Sequence, residues 1–89
     1  MELYYWRDYQ HHEVDFVVKK DQHVDQLIQV SHVNTAGDIN SREIRSLIKA
    51  AKVTQCKILK IITWECQEVL EIERNTIQCV PLWKWLIEQ

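Results

Sequence analysis

Over roughly the first third of the chain, apolar residues recur with a period of two. Leu3 to Arg7 is aromatic and β-prone, and Val14, Phe16 and Val18 recur at every second position between Glu13 and Lys19. The polar stretch Asp8-Tyr9-Gln10-His11 separates them, so the pattern predicts a β-hairpin. Val24, Gln26, Ile28 and Val30 then alternate with Asp25, Leu27, Gln29 and Ser31, which predicts a third strand beside the second. Neither alternating set is plainly polar, so the sheet is expected to be covered, at least in part, on both faces.

The period then changes. Residues 32 to 39 hold Asn34, Gly37 and Asp38 and read as a loop. Asn40 is an N-cap residue, and Glu43 three positions on completes a capping-box spacing. Ile44, Leu47, Ile48 and Ala51 follow at helical spacing, so one face of this helix is expected to pack on the sheet. Lys57 to Trp64 is a hydrophobic strand carrying Leu59, Ile61 and Ile62. A strand–helix–strand crossover of this kind makes the Ile28 and Ile61 strands parallel. Val69–Glu73 and Thr76–Val80 read as a second hairpin turning at Arg74-Asn75, and Pro81 opens a short closing helix over Leu82 to Ile87. The order is β-β-β-α-β-β-β-α: an α/β domain with a small mixed β-sheet and flanking helices.

Composition narrows the classes of function without choosing among them. A chain of 89 residues is one domain, or a piece of one, and buries only about 60–65% of its unfolded surface. Eleven Lys and Arg against 13 Asp and Glu give a net charge of −2, which excludes both a strongly basic nucleic-acid coat and an acidic disordered tail. No apolar run approaches the roughly 18 residues of a membrane-spanning helix, and the N-terminus is no signal peptide. Cys56, Cys66 and Cys79 lack metal or redox spacing and read as small apolar residues, which fits a reducing, cytoplasmic compartment. The first residues enter a strand directly, which suggests that elements preceding it are missing.

Four residues form the first chemical candidate. Glu13 and Asp15 are two apart on one strand, and Gln29 and Ser31 are two apart on the next. In a regular strand that spacing projects each pair from one face. Aligned, they would offer Mg²⁺ or Mn²⁺ an oxygen-lined site suited to phosphodiester hydrolysis. The plainer alternative makes Glu13 and Asp15 solvated residues beside a hairpin. Arg42, Arg45, Lys49 and Lys52 are a second candidate, a basic helix stripe suited to nucleic acid or an acidic partner, or simply a solvated face. Trp83 and Trp85 cannot both point inward from a short helix, so one is expected to face a partner or solvent. His11, His12, His23 and His32 have no helical His-x-x-x-His pairing and do not suggest zinc.

The runs Leu3-Tyr4-Tyr5-Trp6-Arg7, Glu13-Val14-Asp15-Phe16, Leu27-Ile28-Gln29-Val30, Ile61-Ile62-Thr63-Trp64 and Pro81-Leu82-Trp83-Lys84-Trp85-Leu86 together span nearly the whole chain. In order and spacing they resemble the C-terminal domain of unknown function of a family of prokaryotic AAA-type ATPases. The resemblance implies a fold similar to the PD-(D/E)xK nucleases, the restriction-endonuclease and archaeal Holliday-junction-resolvase group. In active members an Asp ends one strand and Glu-x-Lys follows on the next. Asp15 falls at the Asp position, Gln29 at the Glu position and Ser31 at the Lys position. The helix that supplies the fold's further acid is missing ahead of the first strand, and Glu2 lies too close to that strand to replace it.

Gln in place of Glu removes a unit charge from a divalent-metal site, worth roughly 4 kcal/mol or more at about 4 Å and an effective dielectric of about 20. Ser in place of Lys removes a cation from the reacting phosphate. The spacing of Lys19, Lys57 and Lys60 favours none of them as a substitute. The resemblance therefore implies a non-catalytic interaction domain. Its ATP would be bound by an absent N-terminal P-loop domain, since no Gly-x-x-x-x-Gly-Lys run occurs here. A metal-dependent nuclease holding Mg²⁺ or Mn²⁺ through Glu13, Asp15 and Gln29, with DNA as substrate, is the alternative. A homo-oligomer is compatible with the first reading.

Overall fold

A computed structural model describes residues 2–88. Its strands are β1 (Glu2–Arg7), β2 (Glu13–Lys20), β3 (His23–Val30), β4 (Leu59–Thr63), β5 (Glu68–Ile72) and β6 (Asn75–Pro81). They form one mixed sheet in the order β1-β2-β3-β4-β6-β5. Helix α1 (Ser41–Thr54) connects β3 to β4, and α2 (Leu82–Ile87) follows β6. The strands β3 and β4 are parallel, with Gln29 opposite Ile61. This is the crossover that the helical period between them requires. A single 3₁₀ turn at Ala36–Asp38 breaks the loop before α1.

Each hairpin closes without glycine. Asp21-Gln22 and Glu73-Arg74 have φ of 54°, 69°, 50° and 68°, left-handed pairs whose twist suits antiparallel strands. The second turn is therefore one residue earlier than the sequence pattern indicates, because Asn75 already pairs with Ile72. The first hairpin is built by Asp8, whose carboxylate accepts from the backbone N–H of Gln10 and of His12, both at 2.9 Å.

Helix α1 starts where Asn40 accepts from the Arg42 N–H at 2.8 Å and ends at Gln55, which is left-handed. It lays Leu47, Ala50 and Ala51 on Val14, Val17, Leu27, Leu59, Ile61 and Ile77, the main core. The other sheet face is covered less. There Val18, Ile28 and Ile62 are capped by Val30, Leu82 and Trp85.

One irregularity interrupts the β1–β2 ladder. Tyr4 pairs with Val17 and Trp6 with Val14, so Tyr5 alone faces both Asp15 and Phe16. The extra residue makes a β-bulge at Asp15-Phe16. It breaks the expected alternation: Val14 joins the α1-side core, whereas Phe16 pairs with Ile28 and Val18 joins the opposite cluster. Val14, Phe16 and Val18 thus do not share a face.

Candidate functional site

At the bulge the ladder between β2 and β3 opens. Backbone pairing of these strands begins at Phe16 and Ile28, leaving residues 13–15 of β2 without a β3 partner. The side chain of Gln29 fills the gap. Its Oε1 accepts from the Asp15 N–H at 3.0 Å, and its Nε2 donates to the Glu13 carbonyl at 2.6 Å and to the Glu43 carbonyl at 3.3 Å. A side-chain amide here does what a peptide group does in a regular ladder, presenting an acceptor and a donor to the facing strand. Gln29 is 3% exposed, so these bonds form away from water. Asp15 closes the gap in the other direction, its Oδ2 accepting from the Val30 N–H at 2.8 Å.

The open end of the sheet and the first turn of α1 enclose a cleft of ≈ 550 Å³. Glu13, Asp15 and Gln29 line it, with Arg7 and His11 from the first hairpin and Asn40, Arg42, Glu43 and Ser46 from α1. The cleft therefore gathers Glu13, Asp15 and Gln29, but their side chains do not converge on one point. Glu13 turns to β1, where Arg7 Nε lies 3.6 Å away and the Tyr5 hydroxyl donates to it. Asp15 turns into the gap toward β3. Among the described residues, no three His, Cys, Asp or Glu side chains are grouped so as to hold a metal ion. The side-chain oxygen of Gln29 already accepts from the Asp15 N–H, which engages one of its two lone pairs. Ser31 is buried and hydrogen-bonds to the Glu43 carboxylate.

Glu43 is the site residue that motif spacing misassigns. It does not close a capping box. Its carboxylate points inward, with Oε2 buried and unpartnered. Desolvation raises its pKa above the ordinary carboxylate value, and nearby Asp15 adds to this, while Ser31 and His32 oppose it. The sequence does carry a signal for this placement. On a 3.6-residue helix Glu43 falls within the arc of Ser46, Leu47, Ala50 and Ala51, all of them buried. At the hairpin, Asp8 moves the other way. Partial desolvation pushes its pKa up, but the backbone N–H and ring of His12 and the N–H of Gln10 outweigh that and lower it.

The basic stripe is partly used by the fold. Arg42 donates to the His11 carbonyl at 3.0 Å, and Lys49 donates to Gln10 Oε1 at 3.0 Å and lies 3.9 Å from Asp8. Both brace the first hairpin against α1. Arg45 and Lys52 are exposed on the same helix face. Of the two C-terminal tryptophans, Trp83 is 53% exposed, while Trp85 packs on the small second core. His11 Nδ1 accepts from Arg7 at 2.7 Å, and His12 faces Asp8 at 3.0 Å, so both imidazoles are hairpin contacts.

The fold and cleft define a small mixed α/β domain with a six-stranded sheet, two helices and a polar opening beside the N-terminus of α1. The chain belongs to the family described as a domain of unknown function, DUF4143, whose model matches residues 1–85. No curated protein and no solved structure matches it. Among the described residues no helix is long and apolar enough to cross a membrane.

Proposed function

We propose that this chain is a non-catalytic interaction domain: the C-terminal accessory domain of an AAA-type ATPase, built on a degenerate restriction-endonuclease-like core. In this reading ATP is bound by an N-terminal P-loop domain of the same protein, in the cytoplasm. The observation that carries it is the engagement of Gln29. At the position where the resembling nucleases hold a metal-binding Glu, this chain has an amide whose two ends are bonded to the backbone of β2. A carboxylate could not donate to the Glu13 carbonyl, so the residue suits the architecture and not a cation. Ser31, at the position of the nuclease Lys, is a buried neutral hydroxyl spent on Glu43.

The alternative is a Mg²⁺- or Mn²⁺-dependent nuclease acting on DNA. In its favour, Asp15 and Glu43 approach closely enough for Asp15 to raise the Glu43 pKa. Cleavage assays on branched and linear DNA with either metal separate the two readings. No cleavage above a chelator control is the expected result. Metal-dependent cleavage that Asp15→Asn abolishes would overturn the proposal.

A further inference from the structure

The face of the sheet that carries α2 is left largely open. Leu3 pairs with Val18, and Phe16 with Ile28, so both lie on the side of the small cluster capped by Leu82 and Trp85. Tyr5 is two residues from Leu3 on the same side of β1. Across the cluster, α2 turns Trp83, Leu86 and Ile87 outward. These six side chains are between 40% and 76% exposed. With about 150–250 Å² per aromatic side chain and somewhat less per aliphatic one, they present roughly 650 Å² of exposed surface in two groups on either side of the small cluster. The largest patch on an ordinary monomer is about 300–600 Å², and a standard interface takes about 800 Å² from each partner.

We propose that a second copy of this chain covers this face, forming a two-fold dimer in which α2 of each copy seats on the β1–β2 side of the other. This deepens the interaction-domain reading, on which it rests, by naming one partner. The two halves of the patch suit such an exchange. One is the outer side of a short helix, Trp83-Leu86-Ile87, and the other is a sheet surface, Leu3-Tyr5-Phe16. A two-fold interface needs each copy to present both halves of a complementary pair. The charges at the margins are balanced in the same sense. Lys84 and Glu88 lie 3.8 Å apart on α2, and Arg7 and Glu13 lie 3.6 Å apart at the end of the β1–β2 side. When α2 seats on the other copy, each of these cations can meet a carboxylate. The chain's net charge of −2 opposes self-association only weakly.

Sedimentation velocity on the full chain, from about 5 to 500 µM, tests this. The expected result is a concentration-dependent rise from 10.7 kDa toward twice that mass. Trp83→Glu and Phe16→Lys should each weaken the dimer about tenfold or more, as truncating an interface anchor does. Both replace exposed residues, and circular dichroism melts confirm that the variants fold. An equimolar mixture of the two variants should recover dimer, because the new carboxylate of one faces the new ammonium of the other. If Phe16→Lys fails to fold, Tyr5→Lys takes its place, and Leu86→Glu stands in for Trp83→Glu in the same way. A wild-type chain that stays monomeric at about 500 µM overturns the proposal. So does a dimer indifferent to both substitutions, which would belong to another surface, such as the open edge of β1. A monomer would leave the metal and DNA tests of the interaction-domain reading untouched.

Discussion

Replacing Gln29 with Glu is the most informative single change in this chain, because the two readings of the site expect opposite results. In the nuclease reading it repairs a lost ligand. In the architectural reading it places a carboxylate where an N–H donor is needed. The new oxygen would face the Glu13 and Glu43 carbonyls, which now accept from Nε2 at 2.6 and 3.3 Å, and would also lie near the Asp15 and Glu43 carboxylates. The position is 3% exposed, so water does little to relieve it. Losing two hydrogen bonds and burying an unpaired charge should cost about 3 kcal/mol at pH 7. At about 4–8 °C per kcal/mol for a domain of this size, the melting temperature should fall by roughly 15 °C.

The cost should depend on pH in a defined direction. Protonated, the introduced carboxyl again offers a donor, so its folded-state pKa is raised above the unfolded value of about 4.3. The destabilisation is then nearly absent below that value, grows by about 1.4 kcal/mol per pH unit above it, and levels off past the raised pKa. Urea denaturation of wild type and variant at steps between pH 4 and 7 measures this. A variant as stable as wild type at pH 7 would refute the account of Gln29 as a surrogate for the ladder.

Other outcomes rest on the same geometry. Glu43→Gln should stabilise the protein at pH 7, because the native carboxyl has a raised pKa and sheds stability as pH climbs from the unfolded value through the folded one. That gain should vanish near pH 4 in the same denaturant series. Asp8 behaves oppositely. Its lowered pKa adds stability above the unfolded value that is lost as pH falls through the folded one, and Asp8→Asn should flatten the acid limb of the profile. Asn40→Ala removes the cap on α1 and should cost about 1 kcal/mol in chemical denaturation. The Cys79 thiol is pushed up to about 12, first by desolvation and then by Cys66, so it should resist alkylation in the native protein and react at once when unfolded. Fast native-state labelling at Cys79 would contradict the burial described.

Much of the fold was legible because it rests on local periods. The change from period two to 3.6 after Asn40, and back at Leu59, locates α1 between parallel strands, and the cap at Asn40 forms as its residue type indicates. The site was less legible because non-local pairing sets it. A strict alternation puts Glu13 and Asp15 on one face, but the bulge at Asp15-Phe16 arises from how β1 aligns with β2, which no window on β2 reveals. Gln29 carries an inward phase between Leu27 and Ser31, yet its function depends on the ladder opening beside it. Glu43 shows the ambiguity most clearly. Its spacing from Asn40 fits a capping box and its helical phase fits burial, and the interior position prevails, where Ser31 offers a partner.

In the interaction-domain reading, the cleft at Asp15 and Gln29 is structural and not a metal centre. Calorimetric titration of the full chain with Mn²⁺ at low salt, beside Asp15→Asn, tests it most directly. The expected result is no heat above dilution in either protein. Micromolar binding by the wild type that Asp15→Asn abolishes would contradict the claim and return the site to metal-dependent chemistry.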